Sequence, residues 1–372
     1  MKPIVSIIDV DYNSNDLQKA VISAVQIAME KALWEKFIPE GSEICLKPNL
    51  CIDIAFPGYI TSPWVLEGVI LKLYKHVKKL YVVESDTWTT DVERGIRESK
   101  LLNICNKYGV EWVNLSKTKT IKVHLENSFV LGDYVEVPEL LTKTKIVSLP
   151  VLKTHGNTVV TGAIKNQWGC LTKMRIDFHE HIDYAMVDLN RLLKPVFSVM
   201  DGTIGCEGKG PKQGIPRVCN LVLASSDNVA LDSVAAKIMG ISLSKTTHIP
   251  LCEAYGTGIS NYDKIEVVGK DINTLNLRFK HDQKSLLTTM DLLLRKPFLK
   301  KIFYHTPAFK LIILLAKLNF PIWIFFIGKK LQKNMLKTKY GIQWLDNKKT
   351  TRIVSSHKIL PIRTTSNDYK SV

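Results

Sequence analysis

The sequence predicts an α/β fold of three layers, a mostly parallel sheet flanked by helices, followed by an apolar and basic helical extension. Three observations predict it. Through the first 240 residues, short apolar runs rich in β-branched residues alternate with stretches whose apolar positions recur at helical spacing. The predicted strands end in polar or charged residues, as strands do where a parallel sheet gathers its loops at one edge. The charge is also unevenly divided. Residues 295–372 hold 17 Lys and Arg against two acidic residues, whereas residues 1–294 hold 34 against 33. The net charge of +16 therefore belongs to the C-terminal part of the 372-residue chain and not to its body.

Composition narrows the class. With 45% hydrophobic and 23% charged residues, the chain is neither disordered nor fibrous. Seven cysteines, an odd number in a chain this long, do not make a disulfide framework. The apolar run Ile4 to Ile8 is too short for a secretory signal, so a reducing cytoplasmic setting is expected. There is no internal repeat and no low-complexity segment. We expect an α/β domain over 1–290, a membrane-associating segment over 291–330 and a basic polar tail over 331–372.

Buried strands are predicted at Glu43 to Leu46, Lys79 to Val83, Lys145 to Leu149, Val196 to Met200 and Leu221 to Ala224. Helices are predicted at Asp16 to Phe37, Pro63 to Lys78 and Val92 to Tyr108. Ser62 precedes a first-turn proline, and Thr90 with Glu93 fits a capping box. The strands run into Lys47-Pro48-Asn49, Glu84-Ser85-Asp86, Lys153-Thr154-His155, Asp201-Gly202 and Ser225-Ser226-Asp227. Asp227, just before the helix Asn228 to Met239, reads as an N-cap. The other groups read either as helix caps and solvated turns or as the rim of a site, and the site reading is favoured for Lys47, Asn49, Glu84, Lys153 and His155 together.

Two further segments carry candidate chemistry. Lys165-Asn166 follows Thr161-Gly162-Ala163, small residues that let backbone approach a ligand. His179 and His181, near Asp177 and Asp183, could hold a divalent metal or act as acid and base, although neither an HExxH nor a CxxC motif occurs. Each histidine is equally well read as a plain loop residue. The second segment, Asp201 to Gly214, has five glycines in fourteen residues; it reads as a mobile loop or as a substrate lid in which Gly208 and Gly210 wrap an anion. It is neither a Walker A loop nor a GxGxxG dinucleotide fingerprint.

The ordered series Lys47-Pro48-Asn49, Glu84-Ser85, LPVLKTHGNTVVTGAIKNQWG, Asp201-Gly202 with GKGP, and SSDNVALDSVAAKIMG resembles the domain-of-unknown-function 362 family over roughly residues 40–270. The resemblance implies an α/β domain and no assigned reaction. Many members carry a ferredoxin-like module and are called iron–sulfur centre proteins. That module needs CxxCxxCxxxC-type spacing, which this chain lacks, so no iron–sulfur cluster is expected within it. A redox step with a separate partner is suggested by the resemblance alone.

In the extension, residues 311–328 form an apolar run at the threshold length for crossing a bilayer. Pro321 should break or kink it, Lys310 and Lys317 share one helical face, and lysines flank both ends. A helix–Pro–helix lying in the inner leaflet fits better than a span or a soluble helix pair, with Lys310, Lys317 and Trp323 at the headgroups. The expected partners are an anionic membrane surface and a small anionic or lipid-linked substrate; no nucleic-acid-binding motif is present.

These readings combine into an enzyme at the cytoplasmic membrane face. In it Lys47, Lys153 and Lys165 bind substrate charge, with Asn49, Asn166, Gly208 and Gly210 alongside. His155 serves as acid/base, and Glu84 and Asp201 orient it or hold a metal. The alternative is a non-catalytic anion-binding or scaffold protein recruited to membrane by its tail.

Overall fold

The computed structural model describes residues 2–87, 89–171, 175–281, 283–284 and 318–345, with isolated positions between 289 and 314, and of 176 and 177 only the backbone. The strands are β1 (Ile4–Asp9), β2 (Glu43–Pro48), β3 (Lys79–Glu84), β4 (Glu111–Asn114), β5 (Thr120–His124), β6 (Tyr134–Pro138), β7 (Lys145–Leu149), β8 (Val151–His155), β9 (Val159–Val160), β10 (Phe197–Lys209), β11 (Gln213–Ser225) and β12 (Glu266–Gly269). The helices that matter here are α1 (Leu17–Lys31), α2 (Pro63–Leu73), α3 (Val92–Glu98), α4 (Leu101–Tyr108), α5 (Gly162–Asn166), α6 (Ile182–Leu193), α7 (Asn228–Met239) and α8 (His248–Ala254).

One large sheet runs in the order β12-β1-β11-β10-β7-β2-β3-β4, with β8 and β9 attached through β10. The run β10-β7-β2-β3-β4 is parallel throughout. Alternation along these strands divides the core. Ile44, Leu46, Val82 and Val147 face α1, α2 and α4, while Cys45, Val83 and Ile146 face α6 and α8. Met200 and Leu223 pack under α7 on that second side. The predicted three-layer α/β architecture is therefore present, with strands buried on both faces as a parallel sheet requires.

Several local expectations are corrected. The glycine-rich stretch from Asp201 to Gly214 is no lid. It is the far half of β10, a turn at Gly210 to Lys212 and the start of β11, paired in antiparallel register from Gly208↔Gly214 back to Ser198↔Ser225. Its glycines serve close backbone packing: a Cβ on Gly210 would strike the Thr154 carbonyl, and Gly208 N–H donates to Lys280 O at 2.6 Å. β11 runs against its neighbours, so Ser225 to Asp227 lies at the opposite sheet edge from Lys47 and Glu84. There Asp227 caps α7 by accepting from Val229 N and Ala230 N, as its position before the helix predicts. The cap of α3 is Asp91 and not Thr90, because the Asp91 carboxylate reaches Glu93 N and Arg94 N.

The extension also differs from expectation. Residues 318–336 are helical on both sides of Pro321, with a π-helical stretch at Ile324–Gly328, so the proline does not end the helix. Trp323, expected at lipid headgroups, packs inward with ring centroids 6.4 Å from Tyr59 and 6.1 Å from Phe56. Residues 331–345, assigned by composition to the polar tail, continue onto the body: Leu331, Met335 and Leu336 join the main core, and Tyr340 and Trp344 are buried in it. Tyr340 donates to Asn220 Oδ1 at 2.8 Å, and Gln343 accepts from Trp64 N at 3.2 Å. Aromatic burial overrides the basic composition here. Lys310 and Lys317 lie outside the described residues. No helix among the described residues is long and apolar enough to cross a membrane.

Candidate functional site: a lysine-lined hollow

The C-terminal ends of β2 and β3 deliver the first pair. Lys47 is 1% exposed, and its ammonium donates to Glu84 Oε2 at 2.5 Å and to Pro48 O at 2.8 Å. Glu84 also accepts from Ser85 N at 3.0 Å. Gly169 closes over the pair, since a Cβ there would collide with Glu84 Oε1 and Lys47 Nζ. The two charges neutralise each other, so Lys47 is a floor of the site and not a free cation.

Lys153, on β8, is equally buried but has no carboxylate. Its ammonium donates to Asn49 Oδ1 at 2.7 Å, to Tyr59 O at 3.0 Å and to Cys51 Sγ at 3.5 Å. Asn49 in turn donates to Asn166 Oδ1 at 3.3 Å, and Asn166 donates to Lys47 O and Ser148 Oγ, both at 2.9 Å. The two asparagines thus fasten β2, β7 and α5 together and aim Lys153. Beside it, Lys165 is half-buried with its ammonium 5.8 Å from the centre of the Trp168 ring. Burial, then repulsion by Lys153 and Arg175, pushes Lys165 down to about 7, with Cys51 opposing.

Three cationic or basic residues that sequence reasoning missed complete the hollow. Lys212, at the β10–β11 turn, donates to the Thr89 and Thr90 hydroxyls at 2.5 and 3.0 Å, and burial lowers its pKa. Arg175 donates to Ser85 Oγ and to Asp86 O at 2.7 Å. His248, on α8, is fully buried; among the described residues neither ring nitrogen has a hydrogen-bond partner, Nδ1 lies 3.9 Å from Asp183, and burial then Lys165 push it to about 3. None sits at a predicted strand end, so only the fold brings them in. Cys51 is half-buried beside Lys153.

His155 is present in the hollow but in a changed role. Its Nδ1 accepts from Asn157 N at 3.0 Å and Thr158 N at 3.4 Å, which fixes the proton on Nε2. Burial first, then Lys165 and Lys153, hold it well below the usual imidazole range. Its Nε2–H is left as the ring's donor.

Asp201 is not part of the site. Its Oδ2 accepts from Ser62 N at 2.7 Å and its Oδ1 from Thr203 N and Oγ1 at 3.0 and 2.6 Å, which engages both oxygens at the start of α2. Gly162, at φ +60, brings the first N–H groups of α5 onto Asp232 and not onto a ligand: Ala163 N and Ile164 N donate to it at 2.6 and 2.8 Å. The expected metal ligands diverge: His179 stacks on Trp168, His181 is exposed, and Asp183 faces His248. No group of three His, Cys, Asp or Glu side chains among the described residues could hold a metal ion.

A layered α/β domain with a cluster of cationic side chains at the carboxyl edge of its parallel strands is thus the class of protein that fold and site define. The chain belongs to the domain of unknown function DUF362, whose family model matches residues 44–237 and so covers every described hollow residue except His248. It is 27% identical over 214 residues to the thylakoid-associated protein sll1697 of Synechocystis sp., a match that takes in 55% of this chain and 64% of that one. The chain therefore spans less than two thirds of the curated relative's length. No solved structure matches.

Proposed function

We propose that this protein is an enzyme-like α/β protein of the cytoplasmic membrane face, acting on an anionic or lipid-linked substrate in the lysine hollow. One observation carries the reading: Lys153 lies close enough to both Lys165 and Lys212 to repel them, and among the described residues their hydrogen-bond and ring partners are neutral, with the Asp53 carboxylate acting on Lys212 from beyond ion-pair distance. Massed charge without a counterion is costly unless a ligand supplies one. Lys153 and Lys212 hold substrate charge, Arg175 closes one side, and His155 donates from Nε2. Lys165 gives or takes the proton. Replacing Lys153 with Ala in a folded chain should abolish anion binding; unchanged binding would remove the site.

The membrane part rests on the outer face of the C-terminal helix. While Trp323 and Ile324 pack on the body, Leu318, Ile322, Phe325, Phe326 and Ile327 are exposed, beside exposed Lys329, Lys330 and Lys333. An apolar ridge edged by lysines suits an anionic bilayer, each lysine adding about 1 kcal/mol near the surface. The ridge stands beside the hollow, since Trp323 stacks on Tyr59, whose carbonyl accepts from Lys153. The name of the thylakoid-associated relative is compatible with such a location. Sedimentation of the full chain with vesicles rich in anionic phospholipid tests it: the protein should pellet with them and stay in solution with Phe325→Ser and Phe326→Ser together.

A further inference from the structure

We infer that the ligand of the lysine hollow carries a phosphoryl group, a phosphomonoester or a diphosphate, held by Lys153, Lys165 and Lys212. The inference rests on the anion-binding reading above and narrows its substrate class. Its argument is one of charge and shape. A single carboxylate would offset only part of the charge that three neighbouring lysines carry in this largely buried cluster. A phosphoryl group brings about two negative charges and a diphosphate about three, spread over a tetrahedral set of oxygens. Lysines serve such oxygens as point charges, whereas planar carboxylates are matched by the fork of an arginine. The arginine here is committed, with its guanidinium already donating to Ser85 and Asp86. The three lysines also arrive from three separate elements, β8, α5 and the β10–β11 turn.

A proton should accompany binding. The charged and titratable groups facing Lys165 are Lys153, Arg175, Cys51, His155 and His248. None is a carboxylate, and burial with like charge pushes its amine down to about 7. A phosphoryl dianion favours the ammonium form, so binding takes up a proton and affinity falls as pH rises above about 7.

Calorimetry on the full-length chain tests this with inorganic phosphate, pyrophosphate and acetate, in two buffers of different ionisation enthalpy. Pyrophosphate should bind with proton uptake, acetate should not bind, and Lys165→Gln and Lys212→Gln should each weaken pyrophosphate about tenfold or more. Lys212 stands on a turn, so its variant tests the site without disturbing the core. Lys165→Arg should keep binding and lose the proton uptake, because a guanidinium stays charged. Acetate binding as tightly as pyrophosphate would overturn the phosphoryl assignment while sparing the anion site; a folded protein that binds none of the three would overturn both. Displacement of pyrophosphate by vesicles containing phosphatidate would place the phosphoryl group on a lipid, and pyrophosphate binding that such vesicles leave intact would place it on a soluble ligand.

Discussion

The buried carboxylates and the clustered lysines of this protein are opposite solutions to the same problem. Asp188 is fully buried, and Phe129 N, Val130 N, Leu131 N and Ser128 Oγ all donate to it between 2.8 and 3.1 Å. Asp201 and Asp232 are treated alike, each accepting backbone N–H groups at the start of a helix or beside it. The fold meets these carboxylates with its own N–H and hydroxyl donors, and Asp188 also with the Arg191 guanidinium at 3.8 Å. Lys153, Lys165 and Lys212 receive only neutral acceptors or a ring face. Carboxylates that the chain satisfies hold structure; cations that the chain leaves uncompensated point to something from outside.

That contrast can be tested from both sides. The largest effect belongs to Asp188→Ala, which strands three N–H groups of the 129–131 segment and should cost about 3 kcal/mol or more, read by denaturant unfolding. Asp232→Asn should weaken the start of α5 by about 1–2 kcal/mol. Burial raises the Asp232 carboxyl to about 7, above its unfolded value, so the folded state binds its proton more tightly. Its contribution is full at pH 4 and is lost as pH rises through 7, and the Asn variant should flatten that part of the stability curve.

The lysines should behave in the reverse sense. Lys165→Met removes a group that burial and like charge disfavour, so it should raise the unfolding midpoint by about 2 °C while abolishing anion binding; a lower midpoint would mean that Lys165 is structural. Its depressed pKa makes native stability fall as pH drops from about 10 towards 7, and the Met variant should lose that slope. The smallest effect is expected for Phe325→Ser with Phe326→Ser, which should change unfolding free energy by less than about 0.5 kcal/mol because both rings are exposed. A large loss would mean that this face is packed in solution.

Much of the fold was legible because buried parallel strands leave continuous apolar runs. β2, β3 and β7 begin where their β-branched runs begin, and α7 occupies the residues expected of it. Lys47, Glu84, Asn49 and Lys153 were legible as strand-end groups that meet, which they do through the hydrogen bonds described. Asp201 was misread because a strand-end carboxylate and a helix-capping one look the same in sequence. The β10–β11 hairpin was misread because glycine density signals freedom, whereas here it permits close approach between strands. Arg175 and Lys212 stand inside the two stretches read for chemistry but carry no strand-end signal that would single them out, and His248 lies far along the chain from the residues that it joins.

By itself, the sequence determined the layered α/β class, the family and the separation of a neutral body from a basic end, because period, strand composition and charge count are local properties. Only the tertiary structure decided which charges remain uncompensated, that β11 turns its polar end away from the hollow, and that Trp323 faces the protein and not lipid. Charge compensation and burial depend on what distant segments bring into contact, and no local pattern records that.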